Sequence, residues 1–277
     1  MRLLLPTVTL ALLLAGCGDS DAPAQSGAAS GQNSGAAQPD QPAPPAEQPG
    51  DTPLTSKSQT LTRESESCPD DPCSKVDLQW LTFPEDAPLT RALESTLLEQ
   101  LSNGADNGAD DGASSFAAVA DGFLSDAREA AEVESMGWEL NSKVSLLGER
   151  AGLVTLQLDS YEITGGAHGM PVVQLLNWDR REQRRATLQD VLQPGREDAF
   201  WKAAAEVHQQ WLADDIEADK DFRDTWPFLQ TGDFHITDQG VALLYNVYSI
   251  APYAMGQPEL TVPWSKLDGL IRERYRP

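Results

Sequence analysis

The residues best equipped for chemistry stand in one short stretch, Tyr161-Glu162-Ile163-Thr164-Gly165-Gly166-Ala167-His168-Gly169. Gly165, Gly166 and Gly169 admit backbone angles closed to other residues, so the stretch reads as a tight, specific loop leaving the end of a strand. An imidazole exchanges its proton near neutral pH, which makes His168 a candidate general base or metal ligand, with partners from the loop at 248–256 or from the carboxylates of Asp179 and Asp190. The competing reading is structural or ligand-contacting: the ring hydrogen-bonds neighbouring backbone and pins the loop. It is favoured because no second His, nucleophilic Ser or Cys is supplied to share the work. The stretch lacks the Lys-Ser/Thr ending of a phosphate cradle, and no Ser stands between its glycines as a nucleophile elbow requires. No catalytic residue, cofactor or metal is therefore expected. His208 and His235 fall at ordinary helix and strand positions, where a satisfied structural histidine is expected.

Other chemistry-bearing residues are few. With only 3 Cys and 3 His, the chain offers little to a structural zinc or an iron–sulfur cluster. Cys68 and Cys73 flank Pro69-Asp70-Asp71-Pro72 and most simply close a small disulfide loop in an oxidising compartment. Their spacer is longer than that of redox motifs. Arg180, Arg181, Arg184 and Arg185 form a basic island that could meet an anionic glycan or phosphate, although a solvated turn of alternating charge is the simpler reading. Tyr248, Tyr253 and Trp264 read first as core or loop anchors and second as a sugar-stacking surface. The candidate binding loops are thus Thr164, Gly165, Gly166, His168 and Gly169 on one side, and Tyr248, Pro252, Tyr253 and Gly256 on the other.

The chain of 277 residues carries 43 Asp+Glu against 20 Lys+Arg, a formal charge of −23, which argues against nucleic acid or anionic lipid headgroups as partners. Its beginning reads as an address. Arg2 gives a positive start, Leu3 to Leu14 an apolar run too short to span a bilayer, and Leu14-Ala15-Gly16-Cys17 a processing site. That ending resembles the lipobox of bacterial lipoproteins, which implies cleavage after residue 16 and acylation of Cys17. Several acyl chains on one residue hold a protein stably on a membrane, here with the domain extracytoplasmic. Gly18, where an Asp would mark inner-membrane retention, favours the outer membrane facing the periplasm. Residues 17–60 are rich in Pro, Ala, Gln and Gly with almost nothing to bury, as expected of a disordered tether reaching about 35 Å.

The remainder, 61–277, must position the loops. Alternating Val76, Leu78 and Trp80 predict a strand over 75–83, and Leu89, Leu93, Leu97 and Leu101 a helix over 87–101. The Gly-Ala-Asp repeats of 103–112 lack calcium-loop spacing and read as a solvated loop. A second helix is expected over 114–134. Strands over 139–147 and 153–161 make a hairpin, followed by a strand over 172–178 and a turn closed by Thr187 to Leu192. A helix over 197–214, strands at 234–236, 241–248 and 259–262, and a terminal helix from Ser265 complete an α+β domain with a mostly antiparallel sheet and packed helices.

Several pieces together resemble the extracytoplasmic domain of RsiV-type anti-sigma factors, a domain that also accompanies some peptidoglycan deacetylases. They are Thr164 to Gly169, Asn177-Trp178-Asp179 with Leu188-Gln189-Asp190-Val191, Phe234 to Gly240, Tyr248 to Gly256, and Val262-Pro263-Trp264-Ser265-Lys266-Leu267, in the family's order over 138–270. The resemblance implies recognition, because RsiV-type receptors bind lysozyme, a cationic protein, through this domain. An acidic body would draw such a partner from long range. Without a sigma-binding segment, a membrane span or a deacetylase domain in the sequence, neither an anti-sigma role nor an enzymatic one is carried over. The expectation is a non-enzymatic envelope lipoprotein that binds a cationic wall-active protein such as lysozyme, as inhibitor or sensor. The alternative is a domain that binds or modifies peptidoglycan, with the loops at 164–169 and 249–256 lining a glycan groove.

Overall fold

The computed structural model describes residues 53–65, 73–103, 115–131 and 136–277, all within one compact unit. Cys17, Cys68, the tether up to residue 52 and most of the Gly-Ala-Asp segment lie outside the described residues. Cys73 is described and takes part in a disulfide.

Strand β1 (Lys57–Glu64) opens the fold and pairs antiparallel with β2 (Lys75–Thr82). It begins inside the segment expected to be tether, and its polar sequence gave no strand pattern. The chain then crosses through α1 (Ala87–Asn103) and α2 (Phe116–Ala130), so that β3 (Glu139–Arg150) returns parallel to β2. A parallel pair needs such a crossover, and the two helices provide it. From there the sheet is antiparallel: β4 (Leu153–Ile163), β5 (Met170–Asp179) and the short β6 (Arg184–Arg185). Strand order equals chain order, β1 to β6. The expected α+β class with a mostly antiparallel sheet is the one found.

Both helices bury one face against the sheet. Leu89, Leu93 and Leu97 recur at helical spacing and meet Val76, Leu78, Leu140, Leu156 and Leu158, all at most 3 % exposed. Asp86 starts α1 by accepting the amide of Leu89 at 3.0 Å, and Ser115 starts α2 by accepting that of Ala118 at 3.2 Å.

A second layer follows. A one-turn helix α3 (Leu188–Val191) is closed at its start by Thr187 and Asp190 in reciprocal hydrogen bonds. Helix α4 (Glu197–Asp214) and the short α5 (Lys220–Thr225), capped by Asp219, lead into a three-stranded antiparallel sheet of β7 (Phe234–Ile236), β8 (Gly240–Leu244) and β9 (Glu259–Pro263). Phe200, Phe234, Leu243, Val262 and Tyr275 form its core.

The second layer docks on β5 by borrowed strand chemistry. Asn246 accepts the amide of Val173 at 2.7 Å and donates to its carbonyl at 3.0 Å, as a neighbouring strand would. Asp233 accepts the amide of Leu175 at 2.7 Å, and Asn177 donates to the carbonyl of Phe234 at 2.7 Å. The open edge of β5 is thereby satisfied by side chains.

Three expectations are corrected. The strand from Val241 ends at Leu244, because Asn246 leaves the sheet to serve β5. No helix runs on from Ser265: Gly269 turns at φ 64°, and Gln193 and Val191 take the backbone of Leu270 and Arg272 at 2.7 and 3.0 Å, leaving only short 3₁₀ turns at Trp264–Lys266 and Glu273–Tyr275. The hairpin turn is tighter than expected, with Ala151 and Gly152 alone between β3 and β4. Among the described residues no helix is long and apolar enough to cross a membrane.

Candidate functional site

The glycine loop joins β4 to β5 and is shaped by close approach. Gly165 and Gly166 adopt φ of 109° and 81°. A Cβ on Gly169 would stand 2.5 Å from both the carbonyl oxygen of Glu162 and Cζ of Tyr161, so only glycine lets the returning chain pass beneath the Tyr161 ring. Thr164 and Ala167 are exposed beside them.

His168 is held within this loop. Its Nδ1 lies 3.1 Å from the carbonyl of Gly169, where the Nδ1–H tautomer donates. Its ring lies flat on Tyr253, with centroids 4.0 Å apart and planes at 22°. The Tyr253 hydroxyl donates to the same Gly169 carbonyl at 2.9 Å. Tyr253 stands on a 3₁₀ turn opened by Pro252 and closed by Gly256 at φ 70°. The Tyr248 ring follows at 5.7 Å, half exposed, on a backbone at φ 62° that bulky residues rarely adopt. Met170 and Met255 add exposed apolar surface next to these residues. The two loops singled out in the sequence therefore meet in one aromatic step. Tyr248 belongs to its exposed surface rather than to a core.

The carboxylates offered as partners of His168 are engaged elsewhere. Asp179 accepts the amides of Arg181 and Glu182 at 2.9 and 3.1 Å and pairs with Arg274 at 3.2 Å. Asp190 binds Arg184, which with the Thr187 bonds holds its carboxyl well below the usual range. The loop at 248–256 contains no Asp or Glu. Glu162, on the strand entering the loop, has its carboxyl pushed up by burial. Among the described residues no group of three or more His, Cys, Asp or Glu is placed to hold a metal ion.

Tyr161 links the step to a cleft of about 350 Å³ on the face of the larger sheet turned away from α1 and α2. Register makes its floor: Asp77, Asn141, Tyr161 and Pro171 align on one rung, Gln79, Lys143 and Asp159 on the next. Gln257, which donates to Asn246 at 3.2 Å, forms the side contributed by the second layer. They supply amides, carboxylates, the Lys143 ammonium and one phenol ring; Gln79 and Lys143 are exposed and the others half-buried. A second cleft of about 380 Å³ opens between the end of the β3–β4 hairpin and β7. Leu153, Thr155 and His235 line it, and an ion pair of Arg150 with the exposed Asp238 crosses its rim.

The sequence missed both clefts, since their residues come from strands far apart in the chain. Alternation of Val76, Leu78 and Trp80 leaves Asp77 on the polar face of its strand, but no spacing told which strands would be neighbours. The basic island is an exposed turn at Arg181, Arg184 and Arg185, as expected, and only Arg180 departs from it. Arg180 is 3 % exposed and binds Glu149 at 2.9 Å, with Asp86 at 3.9 Å, while Arg184 pairs with Glu182 and Asp190. His208 is also not the satisfied histidine expected: it is fully buried beside the rings of Trp211 and Phe228, and among the described residues neither ring nitrogen has a hydrogen-bond partner. His235 reaches Glu259 at 3.2 Å. Trp264 acts as an anchor, donating to the carbonyl of Asp238 at 3.0 Å.

Residues 189–265 match the family described as "Protein of unknown function (DUF3298)". A crystal structure of a DUF3298 family protein from Pseudomonas aeruginosa PAO1 is 35 % identical, covers 82 % of this chain and is itself covered to 98 %, with a TM-score of 0.68. The chain belongs to the DUF3298 family. A DUF3298 member from Bacteroides fragilis NCTC 9343 shares the fold at 18 % identity and a TM-score of 0.60, over 82 % of this chain and 96 % of that one. The peptidoglycan-N-acetylmuramic acid deacetylase PdaC of Bacillus subtilis strain 168 is 23 % identical over 140 residues, 50 % of this chain but 30 % of that protein, so the chain spans under a third of this relative. DUF3298 is also the domain of RsiV-type proteins.

Proposed function

We propose that this DUF3298 domain binds the glycan of peptidoglycan, in an envelope protein held on the periplasmic side of the outer membrane by acylated Cys17. The observation that carries the reading is the junction of a polar cleft with an aromatic step. Asp77, Asn141, Lys143, Asp159 and Gln257 offer hydrogen-bonding groups suited to sugar hydroxyls and acetamido groups, while the His168–Tyr253 stack and Tyr248 offer flat faces beside them. Ligand sites combine a few convergent polar groups with apolar and aromatic surface in this way. Similarity to part of a peptidoglycan deacetylase supports the substrate class. Binding without catalysis is favoured by the contacts of His168, which serve the loop. The lipobox at 14–17 and the tether-like composition after it support the location. Co-sedimentation of the full chain with purified peptidoglycan sacculi tests this: the protein pellets with them, and Tyr253→Ala reduces the pelleted fraction.

A second reading has its own observation. The formal charge of −23 favours capture of a cationic wall-active protein such as lysozyme, by steering at long range. In that case the protein stays in the supernatant with sacculi and binds lysozyme in solution.

A further inference from the structure

We propose that the two clefts are the ends of one groove that takes an extended glycan strand of several sugar units, an assignment that rests on the glycan-binding reading. Both clefts use the same side of β4. Leu153 and Thr155 floor one, and Asp159 and Tyr161 floor the other. Side chains alternate along a strand, so these four share a face, and Gln157 is the residue between them on that face. It is half-buried, with its amide donating to Asp159 at 2.8 Å, and so continues the polar floor from one cleft to the other.

Strand β3 carries the matching row. Lys143 pairs with Asp159, Ser145 with Gln157, Gly148 with Thr155 and Arg150 with Leu153. The register shift between Leu146 and Gly148 absorbs one extra residue and brings Arg150 back into the row, opposite Leu153. At roughly 3.4 Å per residue, the row from Leu153 to Tyr161 is about 27 Å long, which exceeds what one disaccharide needs. The second layer flanks both ends, with His235 at one and Gln257 at the other.

The floor selects a glycan over an extended peptide. Peptides that add to sheets use a free backbone edge. Here the backbones of β3 and β4 are paired with each other along the row except at the extra residue, Leu147, so the ligand meets side chains almost throughout. Along the row Gln157, Asp159, Lys143 and Tyr161 present an amide, a carboxylate, an ammonium and a phenol to a chain of hydroxyl groups, while Leu153 and Thr155 lie nearly buried under the far cleft.

The test is a titration of the full chain with N-acetylglucosamine oligomers of increasing length. Binding tightens by about tenfold or more from the dimer to the hexamer, a difference of about 1.4 kcal/mol. Tyr161→Ala and His235→Ala, at opposite ends, each weaken the hexamer, whereas only one of them weakens the dimer; thermal melting checks that both variants fold. A hexamer bound no more tightly than the dimer overturns the single groove while leaving a glycan site in place. Failure of every length, together with failure of sacculi to pellet the protein, overturns the glycan reading itself.

Discussion

The imidazole of His168 lies flat on the ring of Tyr253, 4.0 Å away, and both residues reach the carbonyl of Gly169. One loop follows β4 of the larger sheet and the other lies between β8 and β9 of the smaller, so this contact ties the two layers together at the surface where a ligand would land. A stacked pair contributes about 0.5–1.5 kcal/mol beyond its buried area, enough to hold two glycine-containing loops in one geometry.

Tyr253→Phe keeps the stack and removes the hydrogen bond to Gly169. The expected loss is about 1 kcal/mol in urea denaturation, with glycan binding largely retained. Tyr253→Ala removes both contacts and the flat face, and is expected to weaken glycan binding by about tenfold or more.

Gly169→Ala is expected to be more damaging than its single methyl suggests. The added carbon falls 2.5 Å from the Glu162 carbonyl and the Tyr161 ring, and the backbone among these atoms cannot swing aside. A loss of about 1–3 kcal/mol follows, read from the denaturation midpoint. Gly166→Ala meets no atom within 4 Å and pays only for its φ of 81°.

His208 makes the fold sensitive to acid. Burial, and secondarily the charge of Arg223, lowers its pKa below the ordinary 6.5, so the unfolded chain takes up a proton more readily than the folded one. Its contribution is complete above about pH 6.5 and is lost progressively as pH falls below that value. Melting temperatures measured between pH 7.5 and about 5 should fall less steeply for His208→Leu than for the unaltered protein.

Arg180 is a stability residue within the basic island. Its guanidinium, 4 % exposed, answers Glu149 and Asp86, and Asp86 also starts α1. Arg180→Met leaves these carboxylates without it, and a loss of about 3–5 kcal/mol is expected. Arg180 itself lines neither cleft, so any change in glycan affinity of the folded fraction should come only through its partner Glu149, which lines the cleft beside β7.

Much of this was legible in the sequence where local pattern and burial agree. Leucines at 89, 93 and 97 gave α1, the alternation at 76, 78 and 80 gave β2, and the glycines around His168 with Tyr253 gave the two loops that meet. Strand β1 was not legible, because as the edge of the sheet it buries little and its Lys, Gln, Thr and Arg residues do not alternate. The terminal helix expected from Ser265 does not form: Leu267, Ile271 and Tyr275 are core, but the backbone between them is claimed by Gln193 and Val191. The floor of the clefts was illegible for a different reason. Lys143 meets Asp159 and Asn141 meets Tyr161 only through register, and register depends on long-range pairing.

The most direct measurement is calorimetric titration of the full chain with soluble, peptide-free peptidoglycan glycan strands at about 50 and 500 mM salt, with lysozyme as a second titrant. Glycan is expected to bind with similar affinity at both salts, and more weakly to Tyr253→Ala, because hydrogen bonds and stacking are little screened. No glycan binding at either salt, with salt-sensitive binding of lysozyme in its place, would contradict it.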